Sequence, residues 1–279
     1  MNKIILLVLV LTHLSCQKSD FSVTNLNDDI VGVIGHGGMG ISHLYPMNSY
    51  QSINRAAGLG ADGVEIDVQM TNDGVFVAYH DYELSERSSA YGQIYNQSWA
   101  EISNTTYNSP FFSSYQVIRV DSLISGITNR DDLLFVFDIK SFNPDTTSYF
   151  KEKLTGSLIG LLDEYKLGNN VFIELKRPDL VRALKKKRKG LLIFYYNEDF
   201  YKAIESAINL KLQGVTVPIQ GLSPEKVKYA HEKGVMVSVF NTNSRSRNRS
   251  AIEMNVDFIQ TDNLKYLTKL LKNSPHSNM

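Results

Sequence analysis

The sequence predicts an α/β protein, a (β/α)8 TIM barrel with a hairpin and cap inserted after the second strand. Three observations predict it. Past residue 30, short β-rich runs alternate with amphipathic stretches at helical spacing. Eight such runs are each followed by a helical segment, within the about 250 residues such a barrel needs. The chain has 279 residues, 43% hydrophobic and 21% charged, enough to bury one large core and too apolar for a disordered or fibrous class. Lys+Arg and Asp+Glu number 29 each, so no net field draws the protein to nucleic acid, and no nucleic-acid partner is expected.

The elements follow in order. Lys3 precedes the apolar run Ile4–Leu11. That run is far shorter than the about 20 residues of a membrane-spanning helix and suits the hydrophobic part of an export signal. Leu14-Ser15-Cys16-Gln17 resembles the processing site of bacterial lipoproteins, with His13 where that pattern usually has leucine. The resemblance implies a signal peptide over residues 1–15 and lipidation at Cys16. It also implies export to the bacterial cell envelope, with acyl chains as the membrane contact. An ordinary signal with a coincidental cysteine is the alternative. Cys16 is the only cysteine, which excludes an internal disulfide and a Cys-based zinc site. Residues 16–29 read as a polar tether and 30–279 as the barrel. The sequence carries no signature of an oligomeric state.

The strands are expected at Ile30–Gly35, Gly63–Val68, Leu133–Ile139, Asn170–Leu175, Gly190–Tyr195, Gly214–Pro218, Met236–Asn241 and Asp257–Thr261. Helical patterns lie at Ser49–Leu59, Thr147–Tyr165, Asp179–Lys187, Asn197–Leu210, Pro224–Lys233 and Arg249–Met254, with Leu264–Lys272 after the last strand. Strand–helix alternation implies a parallel sheet. Val75–His80 breaks it: the link Thr71-Asn72-Asp73-Gly74 is too short for a crossover and makes a hairpin. A turn centred on Asn72-Asp73 would set His80 opposite Glu65 and Ala78 opposite Asp67. Residues 81 to about 117, rich in Ser, Asn and Tyr, read as a cap containing Tyr91, Tyr95, Tyr107 and Tyr115. The basic run Lys185–Lys189 reads as a solvated helix end or, alternatively, a contact with an anionic membrane.

Strand C-termini converge on one mouth of a barrel. There the sequence places His36, Glu65 and Asp67, His80-Asp81, and Asp138-Ile139-Lys140. Three clustered carboxylates repel one another unless a cation lies among them, and oxygen ligands suit Mg²⁺ or Ca²⁺. Two histidines beside such an ion suit proton transfer near neutral pH. Glu174-Leu175-Lys176 is a competing position for the third carboxylate; Asp138 is preferred because it follows the cap.

Five segments carry a family resemblance: Gly35-His36-Gly37-Gly38, Pro46-Met47-Asn48-Ser49, Gly60–Val68, Thr71–Val75 and His80-Asp81. With Phe137–Lys140, Val239–Asn243 and Phe258–Asp262, the chain resembles the glycerophosphodiester phosphodiesterase family over roughly residues 31–270. The resemblance implies metal-dependent cleavage of a glycerophosphodiester to an alcohol and glycerol phosphate. It implies His36 and His80 as the acid/base pair, and Glu65, Asp67 and Asp138 as ligands of Mg²⁺ or Ca²⁺. Lys140 would contact a phosphoryl oxygen, and Phe240 and Asn243 would line the mouth. Two positions depart from the family: Gly37 replaces a phosphate-contacting arginine, and Asp138 replaces a glutamate. Sphingomyelinase-D-type lipases are similar to this chain at both positions, so a lysolipid substrate is an alternative. A non-catalytic envelope lipoprotein holding a polar lipid head group is another.

Overall fold

The computed structural model describes residues 21–41, 44–128, 130–168 and 170–272. The expected signal peptide, Cys16 and the start of the tether lie outside the described residues. β1 (Gly32–Gly35) leads through α1 (Tyr50–Gly58) to β2 (Gly63–Met70). β3 (Phe76–Ala78), α2 (Trp99–Ile102), β4 (Ile118–Arg119) and α3 (Val120–Gly126) come next. Regular alternation then runs through β5 (Leu134–Ile139), α4 (Ser148–Glu164), β6 (Val171–Leu175), α5 (Pro178–Lys187), β7 (Leu192–Tyr196), α6 (Phe200–Leu210), β8 (Gly214–Pro218), α7 (Pro224–Glu232), β9 (Met236–Phe240), α8 (Arg245–Glu253), β10 (Phe258–Thr261) and α9 (Leu264–Lys272). Parallel pairing passes from β2 through β5, β6, β7, β8, β9 and β10 to β1 and closes through β1–β2. This is the expected (β/α)8 TIM barrel.

Caps fix the helix starts. Ser49, Thr147, Asp199, Ser223 and Ser244 each accept a first-turn backbone N–H. Ser244 draws α8 forward to Arg245, four residues before the sequence pattern places it. Asn241, expected in β9, has φ +61° and lies off the strand.

Inside the barrel, Ile34, Val136, Phe172, Phe194 and Phe258 form an apolar floor. The rings of Phe172 and Phe194 stack at 4.3 Å. Gly32 and Gly214 admit these rings: a Cβ on either would fall 2.4 Å from Phe258 or Phe194. Above the floor, buried Glu174 accepts from Thr216 and Gln260, and Gln260 also donates to Ser238. Burial and then the nearby Asp138 push the Glu174 carboxyl up to about 8, against the hydrogen bonds from Thr216 and Gln260. The helices pack their apolar stripes around the outside.

Two local expectations need correction. The hairpin pairs Val68 with Ala78, Gln69 with Val77 and Met70 with Phe76, one residue from the expected register. The cause is a three-residue loop, Asn72-Asp73-Gly74. Thr71 N–H donates to Val75 at 2.9 Å and Gly74 takes φ +93°, a conformation glycine adopts cheaply. Asp67 therefore faces Tyr79, and His80 lies beyond the ladder. Second, the described part of the presumed tether packs on the barrel. Phe21 joins the core, Thr24 N–H donates to Asn255 and Leu26 N–H to Asp257. Phe21 and Val23 pack against the barrel core and anchor a largely polar stretch.

The cap, residues 81–117, builds its own core on β3 from Val77, Tyr79, Leu84, Ile94, Ile102, Tyr107 and Val117. β4, not anticipated, pairs antiparallel with β3. The basic run largely serves helix packing. Lys185 Nζ donates to the carbonyls of Leu210 and Lys211 at the end of α6, at 2.6 and 2.7 Å, while Lys187 pairs with Glu152 and Arg188 with Asp163 on α4.

Asp257 joins three parts of the barrel foot. Its carboxyl accepts from Leu26 N–H at 2.7 Å, Val237 N–H at 2.6 Å and His231 Nε2 at 2.9 Å. Asp257→Ala should cost about 3 kcal/mol, since it leaves several donors without an acceptor. A urea denaturation midpoint equal to that of the unchanged protein would contradict this.

Candidate active site

Glu65 and Asp67 are two residues apart on β2 and share a face. Asp138 is the register partner of Asp67 on β5. One carboxylate oxygen from each of the three lies within 4.8 Å of the others. Lys140, just past β5, sets its ammonium 2.7 Å from Asp67 Oδ1 and 2.5 Å from Asp138 Oδ2. Gly37 N–H donates to Glu65 Oε2 at 2.7 Å. Asn48, at φ +64°, donates from Nδ2 to Asp67 Oδ2 at 2.6 Å and accepts the Asp67 N–H at 2.9 Å. It grips both the side chain and the backbone of that residue.

The electrostatics follow from crowding. Burial, reinforced by Asp67 and Asp138 against Lys140, raises the Glu65 carboxyl well above its ordinary range. Burial opposes ionisation of Asp67 too, but Lys140, His80 and His36 outweigh it and hold that carboxyl well below its range. Burial also works against the Lys140 ammonium, and the charges of Asp138, Asp67 and Glu65 overcome it and raise its pKa well above the lysine value.

The segments that carry both histidines meet β2 beside the carboxylates: Gly37, next to His36, donates its N–H to Glu65, and Tyr79, next to His80, donates its N–H to the Asp67 carbonyl. His36 Nδ1 lies 2.8 Å from Asp262 Oδ1 at the end of β10. His80 Nδ1 lies 2.8 Å from Asp81 Oδ1, whose other oxygen is 2.7 Å from Arg87 Nε. A carboxylate accepts at each Nδ1, which assigns the proton there and leaves Nε2 for chemistry. The Asp81 hydrogen bond raises the pKa of His80; burial opposes that and the Asp67 charge supports it.

Phe240 is half-buried at the C-terminal end of β9, 5.6 Å from the Tyr196 ring. Asn243 is exposed and accepts from Arg247 at 2.9 Å, turned to α8 and not to the carboxylates. Gly37 has φ +52°, and a Cβ there would fall 2.7 Å from Met47. Three contributors have no assigned part in the sequence reading: Asn48, Asp262 and Arg87. Asn48 stands inside a quoted motif segment and Asp262 ends the last strand, so each carried a positional signal.

The sequence pattern of the Glycerophosphoryl diester phosphodiesterase family matches residues 39–265. The chain belongs to this family. As a member it is a phosphoric diester hydrolase on a TIM barrel. The glycerophosphodiester phosphodiesterase of Caldanaerobacter subterraneus subsp. tengcongensis is 25% identical over 243 residues, covering 86% of this chain and 97% of the relative. That of Bacillus altitudinis is 22% identical, covering 78% and 89%. Among solved structures, an Oleispira antarctica phosphodiesterase in complex with the product sn-glycerol-3-phosphate superposes with a TM-score of 0.75 at 17% identity, over 89% of this chain and 100% of the other. A glycerophosphodiester phosphodiesterase from Parabacteroides distasonis gives 0.74 at 21% identity, over 86% and 96%. At such identities these structures speak for the fold.

Proposed function

We propose that the protein hydrolyses glycerophosphodiesters to an alcohol and glycerol phosphate, with Glu65, Asp67 and Asp138 holding a divalent cation, Mg²⁺ or Ca²⁺. The observation that carries this reading is the convergence of three carboxylates within 4.8 Å between two carboxylate-oriented imidazoles. Oxygens that close can share one hard ion with bonds of about 2.0–2.6 Å. Burial raises the Glu65 pKa most, and the neighbouring Asp67 and Asp138 carboxylates add to it, a charge a cation at this point would offset.

When bound, the ion would neutralise charge growing on the non-bridging phosphoryl oxygens. Lys140 adds a cation at the same edge and contacts a phosphoryl oxygen. His36 takes the proton of the attacking oxygen on Nε2 while Asp262 stabilises the imidazolium. His80, kept protonated by Asp81, gives its proton to the departing alkoxide as the phosphorus–oxygen bond breaks. Phe240 forms part of the mouth. Export and a lipid anchor at Cys16 fit the apolar run Ile4–Leu11, and they place the enzyme at a bacterial envelope membrane.

Chelation tests the cation. Dialysis against a chelator should abolish release of alcohol from a glycerophosphodiester, and Mg²⁺ or Ca²⁺ should restore it. Full turnover by the dialysed protein would remove the metal from the mechanism.

A further inference from the structure

We propose that the cavity between the cap and the β1–α1 loop is a binding site for an alkyl or acyl chain on the leaving alcohol. The cavity encloses about 280 Å³. His80 and Asn48 form its inner wall, so it opens directly off the catalytic centre. This rests on the reading above in one respect: His80 protonates the leaving alkoxide, so a group beside His80 belongs to that alcohol.

The lining argues for an apolar occupant. Met47, Tyr79, Tyr107, Phe112 and Ile41 line it, beside the polar Asn108 and Ser109. Both buried tyrosines spend their hydroxyls on the main chain. Tyr79 donates to the Leu84 carbonyl at 2.8 Å and Tyr107 to that of Met47 at 3.2 Å. What they offer the cavity is ring surface. The charges present, Arg87 and Asp81, are paired with one another, so a cationic head group would meet a guanidinium without an unpaired carboxylate to hold it. Ile41 is 69% exposed on the rim; Leu44 and Phe111, each next in sequence to a lining residue, are 64% and 74% exposed. Exposed apolar side chains thus stand on the segments that line the cavity.

The departure at Gly37 fits the same picture. Met47 occupies the space that a side chain at position 37 would need. Where the family resemblance implies a phosphate-binding cation, this chain has a flexible thioether facing the cavity.

The test uses glycerol 3-phosphate esterified with ethanol, butanol or hexanol, sn-glycero-3-phosphocholine, and the matching non-hydrolysable alkyl phosphonates. Full-length protein is assayed with divalent cation. Hydrolysis transfers water's hydroxyl to phosphorus and its proton to the released alcohol. Each methylene that enters the cavity should raise kcat/KM, and tighten phosphonate binding by calorimetry, about fourfold. Phe112→Ala should lower the hexyl-to-ethyl ratio about tenfold, a ratio that cancels any loss of folded protein. Rates and affinities independent of chain length, or a preference for the choline ester, would overturn the proposal while leaving the phosphodiesterase reading intact. Length-dependent phosphonate binding without turnover of any ester would do the reverse: it would support the cavity and sink the proposed reaction.

Discussion

His80→Ala should lower kcat for glycerophosphodiester turnover by about 10²–10⁴-fold, the usual contribution of a positioned general acid. The loss should be smaller for esters whose alcohol is acidic enough to leave unaided, such as p-nitrophenyl esters. The neighbouring Asp81 gives a finer check. Its hydrogen bond is the main cause that raises the pKa of His80, against burial and with help from Asp67. A raised pKa keeps the imidazole protonated at pH values where an ordinary histidine has lost its proton. The alkaline limb of kcat/KM should thus lie above the ordinary histidine range. Asp81→Asn should move that limb to lower pH, with activity lost first on the alkaline side and spared on the acid side. Unaltered turnover in His80→Ala, or an alkaline limb that stays put in Asp81→Asn, would remove His80 from the role of acid.

Lys140→Met should separate ion binding from catalysis. In the folded protein the Lys140 ammonium already answers part of the negative charge of Asp67 and Asp138, at 2.7 and 2.5 Å. Removing it leaves the carboxylates more demanding of a cation, so Mg²⁺ or Ca²⁺ should bind about tenfold more tightly or better. The same change would remove the charge proposed to meet the phosphoryl group in the transition state, and kcat should fall about 10²–10³-fold. Calorimetric titration of the ion and saturation kinetics read the two effects independently. Weaker ion binding in the variant would mean that Lys140 orders the ligands more than it competes with their ion.

Much of this architecture was readable from local pattern. β8 falls at Gly214–Pro218 as expected, because alternating small and β-branched residues bounded by turn signals leave little choice of period. The convergence of Glu65, Asp67 and Asp138 is legible because a strand carries alternate residues to one face and a barrel carries strand ends to one mouth. The hairpin register differs from the expected one by one residue, since a three-residue loop with Gly74 at positive φ is hard to tell from a shorter turn by composition. The partners that orient the site were harder still. Asp262 meets His36 from 226 residues away and Arg87 reaches Asp81 from within the cap. No period links such pairs: closure of the barrel brings the first together, and the fold of the cap the second. Asn243 lines up with a family motif, yet Arg247 one helical turn on claims its side chain.

The packing of residues 21–29 bears on where the enzyme could work. Thr24 and Leu26 bond to Asn255 and Asp257, just before β10, and hence at the end of the barrel opposite the catalytic mouth. Acyl chains at Cys16, as proposed, would leave Gln17–Asp20 as the whole leash, about 14 Å when fully extended. So short a leash would stand the barrel upright on the membrane with its mouth turned to the aqueous side. An enzyme held this way would draw on diesters that arrive through water, single-chain or water-soluble ones, and would leave the intact lipids beneath it out of reach.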